Sequence, residues 1–516
     1  MSMKRLLFAF LSVAFLAACS GRISPTALIK VEGGMIRGTV AEDMLVFKGI
    51  PFAAPPVGDL RWKAPQPVVP WEGIRDASRF GPSPISSMGF PRDMSEDCLY
   101  LNVWTPATRI SDKLPVMVWI YGGGFSMGTS SFYDGEAIAK TGVVLVTINY
   151  RVGKIGLFCH PELSAENQEH VSGNYGILDQ IAALKWVQKN ISAFGGDPRK
   201  VTIFGESAGG ISVSMLAASP LAKGLFRGAI SQSGSSFGPI RPVSFPGENM
   251  KTLAQAEAEG LAFAESLGAS SIAELRAMDA SVFARQTVVT GGAWPVVDGY
   301  VIPDDQYKMY QAGNYNDVAL LIGYNSDEGD SFEFFSCPED HIAHVRSRYE
   351  DYADRLLQAY PVGENDVPKT ARDLGRDAAF GWGTWSWGRL QNETGHQPVY
   401  MYYFDQPPAY PEDSPKYGHR SPHGQDVDFV FQSLRSPSAS DKKLAAYMLE
   451  YWTNFAKYCD PNGKGDDAEL PVWPLFKNTD SKVMVLTGEK PHPSPVPSED
   501  SMWVLDEYYA WRRSQE

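Results

Sequence analysis

The chain has 516 residues, a formal net charge of −14 and 44% hydrophobic residues, enough apolar material for a large core and too little bias for a disordered or fibrous protein. The acidic balance argues against nucleic-acid binding, which needs clustered Lys and Arg to neutralise phosphates. Five cysteines at irregular spacing form neither a disulfide framework nor a metal site.

The N-terminus differs in kind from the rest. Lys4-Arg5 precedes an apolar run, Leu6 to Ala18, which is too short to span a bilayer and has the shape of a secretory signal. The run ends in Leu16-Ala17-Ala18-Cys19, which resembles a bacterial lipobox. That resemblance implies cleavage before Cys19, a diacylglycerol on its thiol and acylation of its new amine. Several chains make a stable anchor where one holds only reversibly. Ser20 resembles the residue that sends such lipoproteins to the outer membrane. Ser20 to about Pro25 is short and polar, a tether.

Strand-like runs follow at Ala27–Val31, Met35–Val40 and Met44–Phe47, broken by glycine or acidic turns, and they predict a small antiparallel beginning to a sheet. Proline and glycine recur from Pro51 to Gly73, an ordered loop. Continuous apolar runs then appear at Pro115–Tyr121, Val143–Tyr150, Val201–Phe204, Gly228–Ser231, Val318–Gly323 and Val399–Phe404. Strands apolar on both faces mean a parallel sheet covered by helices on each side. Between them, Ile177, Leu178, Ile181, Leu184 and Val187 keep the spacing of a crossover helix. The fold class is a doubly wound α/β sheet. Two helix-rich insertions, Lys251 to Gln286 and Pro338 to Arg389, interrupt the alternation, and insertions at the carboxyl ends of strands become pocket walls. His341 and His344 sit in the second and read as members of a solvated helical face.

The run Val201–Phe204 leads straight into Gly205-Glu206-Ser207-Ala208-Gly209. A bare G-x-S-x-G is weak, but a strand before it and small residues after it make a nucleophile elbow. The small residues allow a tight turn, which leaves the Ser207 hydroxyl exposed at a helix N-terminus. A serine nucleophile needs a base, a group to orient that base, and donors for the oxyanion. Past the strand ending at Gly323 stand Asp327, Glu328 and Asp330, among which spacing does not choose. His419 and His423 share a late loop beyond Phe404, and spacing leaves both open as the base. Ala208 and the glycines of Tyr121-Gly-Gly-Gly-Phe125 supply backbone donors; one such donor is worth about 2.7–4 kcal/mol in the transition state.

With these residues together, the chain resembles the type-B carboxylesterase (cholinesterase-like) family of α/β-hydrolases over nearly its full mature length. Ser95-Glu-Asp-Cys-Leu-Tyr-Leu-Asn-Val103 matches the family's second signature and Val201 to Gly210 its serine signature. Phe47–Phe52, Phe194–Pro198, Ser231–Gly234 and Tyr451–Ala456 also match family blocks. The resemblance implies residues 1–18 as signal, 19–26 as tether and 27–516 as a single hydrolase unit with helical insertions walling the pocket. It implies Ser207 as nucleophile, His423 as base, Glu328 as the acid, and Gly123, Gly124 and Ala208 as oxyanion donors. No metal or organic cofactor is implied. The partners are a small-molecule ester and, through Cys19, a membrane, with an exported, outer-membrane-anchored location; nothing sets the oligomeric state.

The departures from the family matter too. Cys98 has no cysteine between it and Cys19, so the family's usual disulfide cannot form and a free, buried thiol is expected; Cys159, Cys337 and Cys459 are left open. The tryptophan that cholinesterases use against quaternary ammonium falls on Met88, so choline esters are expected to be poor substrates. Tyr121 stands where many bacterial relatives have histidine. Phe332, Phe334, Phe335, Trp382, Trp385 and Trp387 are candidate walls for a bulky substrate group. The alternatives are a specialised hydrolase of aryl, sugar or toxin esters, lactones or amides, and a non-catalytic binding protein, which the intact Ser207, Glu328, His423 and glycine loop disfavour.

Overall fold

A computed structural model of the protein describes residues 23, 27–86, 93–241, 245–284, 294–332, 335, 337–363, 367–465, 469–488 and 490–515. Cys19, Met88 and Phe334 lie outside the described residues. The main sheet has eleven strands. In chain order they are β1 (Thr39–Ala41), β2 (Met44–Pro51), β3 (Tyr100–Thr105), β4 (Leu114–Ile120), β5 (Val144–Ile148), β6 (Gly196–Glu206), β7 (Gly228–Gln232), β8 (Ala319–Asn325), β9 (Val399–Phe404), β10 (Lys482–Leu486) and β11 (His492–Pro495). Their spatial order is β11-β10-β9-β8-β7-β6-β4-β5-β3-β2-β1, so β6 is the middle strand. From β5 across to β10 every neighbouring pair is parallel. The pairs at the two edges are antiparallel.

The unbroken apolar character of the inner strands follows from cover on both faces. Alternate residues along them point to opposite sides. Val116, Val118, Ile203 and Ile322 enter one core with Ile177, Leu184 and Val187 of α1 (Tyr175–Asn190) and Val213 and Leu216 of α2 (Ala208–Ala218). Their neighbours Met117, Trp119, Phe204 and Leu321 enter another with Met448, Trp452 and Phe455 of α3 (Ala439–Tyr458). Each large apolar side chain so buried contributes about 1.5–3 kcal/mol.

The N-terminal runs divide between two sheets. Leu28–Val31 pairs antiparallel with Gly34–Arg37, and Ile74–Asp76 joins in parallel to complete a separate three-stranded sheet. The expected small antiparallel strands are thus split between that sheet and the β1–β2 hairpin at the edge of the main one. The crossing from one sheet to the other passes Gly38, where a Cβ would lie 2.4 Å from the Val46 carbonyl oxygen. β3, β10 and β11 add to the strands expected from the sequence.

Both insertions are helical. The first carries Leu253–Ser266, Ile272–Ala277 and Ser281–Ala284; the second runs from Pro338–Tyr349 through to Trp382–Thr394. The solvated face expected for His341 is not found. His341 is only 1% exposed. It shares one side of its helix with Val345 and Tyr349, the i, i+4, i+8 positions that face inward. Phe335 packs on its ring, and burial holds its imidazole below the ordinary histidine pKa. His344, four residues short of the buried Arg348, stays half-buried.

The chain leaving β5 is fixed to α1 by a buried ion pair. Asp179 accepts from Arg151 Nε and Nη2, each at 2.8 Å, and from the Arg151 backbone N–H at 3.0 Å. Both side chains are fully buried. Asp179→Ala leaves a guanidinium in the core with no counter-charge. It should cost about 3–5 kcal/mol, read as a lower denaturant midpoint; a midpoint unchanged from wild type would contradict this assignment.

Candidate active site

Ser207 occupies the turn from β6 into α2, at the carboxyl end of the middle strand. Its backbone has φ 55° and ψ −125°, a left-handed setting that costs a non-glycine residue about 1–3 kcal/mol. The turn can be this tight because Gly205 and Gly209, two residues to either side, lack side chains. A Cβ on Gly209 would lie 2.0 Å from the Ile120 carbonyl oxygen. The strained residue is held from both sides: its N–H donates to the Gln232 carbonyl at 2.9 Å, and its carbonyl accepts from the Ile211 N–H at 2.8 Å. α2 starts at Ala208, so its free N–H groups and the positive end of its dipole face the serine.

Two loops from neighbouring parallel strands, β8 and β9, bring the acid and the histidine together. Asn325 Nδ2 donates to the Pro422 carbonyl at 2.8 Å, the Asp327 N–H to the Ser421 carbonyl at 2.9 Å, and the Ser421 N–H to Ser326 Oγ at 3.1 Å. Laced in this way, Glu328 lies 2.6 Å from Nδ1 of His423, and Nε2 of the same ring lies 2.8 Å from Ser207 Oγ. Glu328 is fully buried. Its other oxygen accepts from the Asn325 N–H at 2.7 Å and the Ser233 hydroxyl at 2.5 Å.

The three acids of this loop have three different partners. Asp330 takes His419 Nδ1 at 2.8 Å and Lys416. Asp327 takes Arg372 Nε at 2.8 Å and the Arg420 N–H at 3.0 Å. Only Glu328 of the three meets the histidine at the serine. The geometry therefore separates His423 from His419, which spacing left equal.

The glycine loop follows β4. Gly123 and Gly124 have φ of 110° and 58° and line the same pocket as Ser207. A side chain on Gly122 would come within 2.9 Å of Ser207 Cβ. The loop is anchored by a reciprocal pair. Tyr121 OH donates to the Tyr150 carbonyl at 3.0 Å, Tyr150 OH donates to the Tyr121 carbonyl at 2.8 Å, and the two rings stack 4.5 Å apart. Tyr121 is thus a buried support beneath the loop, facing away from the pocket.

Glu206 went unassigned in the sequence, although it sits inside the serine motif. Its Oε1 is 3.3 Å from His423 Nε2. Burial raises its carboxyl to about 7; His423 opposes that rise, and Asp426 and Glu328 add to it. Burial also disfavours the imidazolium of His423, but Glu206 and Glu328 outweigh it and lift that pKa to about 9. Behind them Asp426 accepts from Gln232 Nε2 at 2.9 Å and Tyr402 OH at 2.8 Å. Its place three residues past His423 on a short helix was the available signal.

The pocket over Ser207 measures about 600 Å³. Of the aromatic candidates, Phe332 lines it. Trp382, Trp385 and Trp387 are core residues, at most 2% exposed, and Phe335 packs on His341 and His344. The walls are instead Ile211, Phe245, Trp294 and Phe380, with Ser235, Ser236 and Asn249 as polar points. The four described cysteines are free, Cys98 and Cys159 buried.

Known proteins agree with this architecture. The family model described as "Carboxylesterase family" matches residues 25–499. The chain is 37% identical to a fumonisin B1 esterase of Sphingopyxis macrogoltabida over 487 residues, covering 88% of this chain and 85% of that one. It is 35% identical to a cocaine esterase of Oryctolagus cuniculus over 505 residues, 88% of this chain and 91% of that protein. A solved PNB esterase superposes with a TM-score of 0.79 at 33% identity, over 93% of this chain and 100% of its own. A carboxylesterase of Geobacillus stearothermophilus gives 0.80 at 31%, over 93% and 99%. The chain belongs to the carboxylesterase family and is a carboxylic ester hydrolase of the α/β-hydrolase fold.

Proposed function

We propose that hydrolysis proceeds through an acyl-enzyme on Ser207, with His423 as general base and acid and Glu328 as its partner. The observation that carries the reading is the unbroken chain Glu328–His423–Ser207 at 2.6 and 2.8 Å. His423 takes the hydroxyl proton as Oγ bonds to the ester carbonyl carbon, and the carbonyl oxygen becomes an oxyanion facing Gly123, Gly124 and Ala208. The carbonyl re-forms, the C–O bond to the alcohol breaks, and the alcohol leaves with the proton from Nε2. Water then adds to the acyl-enzyme, giving its proton to His423, and the collapse returns that proton to Ser207 Oγ and releases the acid. Glu328 holds the ring orientation and stabilises its cation.

We also propose that the protein is an exported lipoprotein held at the outer membrane through Cys19, with residues 27–516 acting as one catalytic unit. The geometry fits such an anchor. Ile23, the first described residue, donates its N–H to the Thr108 carbonyl at 2.9 Å and lies beside Gly195, at the start of β6. Ser207 follows the other end of that strand, so Ile23 lies at the end of the sheet opposite the pocket.

Three outcomes test these readings. On p-nitrophenyl esters, Ser207→Ala should lower kcat by about a millionfold and Glu328→Gln by about ten-thousandfold, while Asp330→Asn stays near wild type. An Asp330 variant as damaged as Glu328→Gln would reverse the choice of acid. A base works as neutral imidazole, so kcat/KM should rise with pH until His423 deprotonates near about 9. Glu206→Gln removes one of the carboxylates favouring the cation and should move that rise to lower pH; a profile left in place would show that Glu206 does not act on the ring. Full-length protein should sediment with membranes in the host and Cys19→Ser should not, and equal partition of the two would exclude the lipid anchor.

A further inference from the structure

The pocket has two unlike sides. Phe380 stacks on the His423 ring at 4.9 Å and 14°, and Phe332 meets it at 5.6 Å and 61°. A leaving alcohol receives its proton from Nε2, so it departs on this side. The acyl group, with its oxygen held by the oxyanion donors, extends the other way, past Gly123 and Gly124 towards Phe125 and Trp294. Trp294 stands edge-on to Phe125 at 4.9 Å and 80°.

Trp294 and Asn249 line this pocket and also a second, smaller cavity of about 30 Å³. That is room for about two waters. From the far side it is lined by Lys154, Phe158, Lys251 and Glu259. Lys251 and Glu259 pair at 2.5 Å. Lys154 lies 5.1 Å above the Phe263 ring and has no carboxylate in ion-pair contact among the described residues. The chamber therefore carries an excess of positive charge. The indole N–H of Trp294 is buried and meets no hydrogen-bond partner among the described residues. A buried indole usually finds one, so this ring serves by its bulk and not by its polar atom.

We propose that Trp294 is the partition that sets how long an acyl group the enzyme takes, and that the chamber behind it is a latent subsite for the anionic end of an acyl chain. This rests on the acyl-enzyme reading of Ser207. Removing the indole joins the two cavities and lets a chain reach Lys154. Replacing it by phenyl keeps the wall, since the N–H has no task.

The test compares kcat/KM for p-nitrophenyl esters of straight-chain acids with those of the matching ω-carboxylate acids. It uses wild type, Trp294→Phe, Trp294→Ala and Trp294→Ala with Lys154→Met, and a fluorophosphonate probe reports whether Ser207 remains reactive in each. Trp294→Ala should raise the ratio of long to short acyl esters by about tenfold. It should favour the ω-carboxylate series further, Lys154→Met should abolish that second gain, and Trp294→Phe, which keeps a ring in the wall, should shift the ratio less than Trp294→Ala. Trp294→Leu fills the site while shortening the wall, and gives the same direction should Trp294→Ala fold poorly. An unchanged acyl profile in a variant whose Ser207 still labels would overturn the partition. So would a shift confined to esters that differ in the alcohol. A wild type that hydrolyses esters without labelling at Ser207 would instead bring down the acyl-enzyme reading, and the partition with it.

Discussion

The rest of the site depends on the backbone of one residue. Ser207 is held at φ 55°, where a residue with a Cβ does not settle unaided. Its strain persists because a bond on each side and two flanking glycines over-determine the turn. The middle strand of the sheet delivers the serine to the surface, and the helix after it returns at once to the core. Everything that must meet the hydroxyl is then carried by neighbouring strands: the glycine loop by β4 on one side, Glu328 and His423 by β8 and β9 on the other. Parallel strands make this economical, since their carboxyl ends all emerge at the same edge.

Electrostatics ties the acid side together. A fully buried carboxylate is expensive unless hydrogen-bonded. Glu328 meets that condition through the Asn325 N–H, the Ser233 hydroxyl and His423. Four more groups surround the pair. Glu206 faces the same imidazole, and Asp426 sits behind with Gln232 and Tyr402. Burial, with Asp426 and Glu328 nearby, raises the Glu206 carboxyl, and Glu206, Glu328 and Asp426 all favour a proton on His423. In the proposed mechanism a base held this strongly needs less assistance to accept the serine's proton, at the expense of being already occupied at neutral pH. Glu206 sets that balance because, alone of the acids, it faces Nε2, the nitrogen that serves Ser207.

Much of this was legible in the sequence, and the limits have physical causes. Inner strands declared themselves because cover on both faces forces continuous apolar runs. The serine turn declared itself because only small residues fit it. The choice among Asp327, Glu328 and Asp330 was beyond spacing, since three acids within four residues can each reach a different neighbour, and here each does. The resemblance to type-B carboxylesterases pointed to Glu328 and His423, the pair that the loop lacing brings together. His341 was misread because a charged helix still presents one inward side every third or fourth residue. The tryptophans at 382, 385 and 387 were offered as walls on composition, yet their helix turns them into the core. Phe245, Trp294 and Phe380 reach the pocket from places in the chain where no local pattern marks them.

That division between legible machinery and illegible walls has a structural origin. Ser207, Glu328 and the glycine loop follow directly on strand ends, and hydrogen bonds to Asn325, Ser326 and Asp327 lace the longer loop of His423 to that edge. Phe245, Trp294 and Phe380 hang on loops and insertions whose course the sheet does not dictate. Substitution there changes the shape of the cavity without disturbing the hydrogen bonds that run the chemistry. A chain can therefore share about a third of its residues with proteins named for fumonisin B1 and for cocaine, and superpose over 93% of its length on a PNB esterase. The shared part dictates that an ester is cleaved. Which ester it is, on the acyl side, is what the proposed partition at Trp294 would decide.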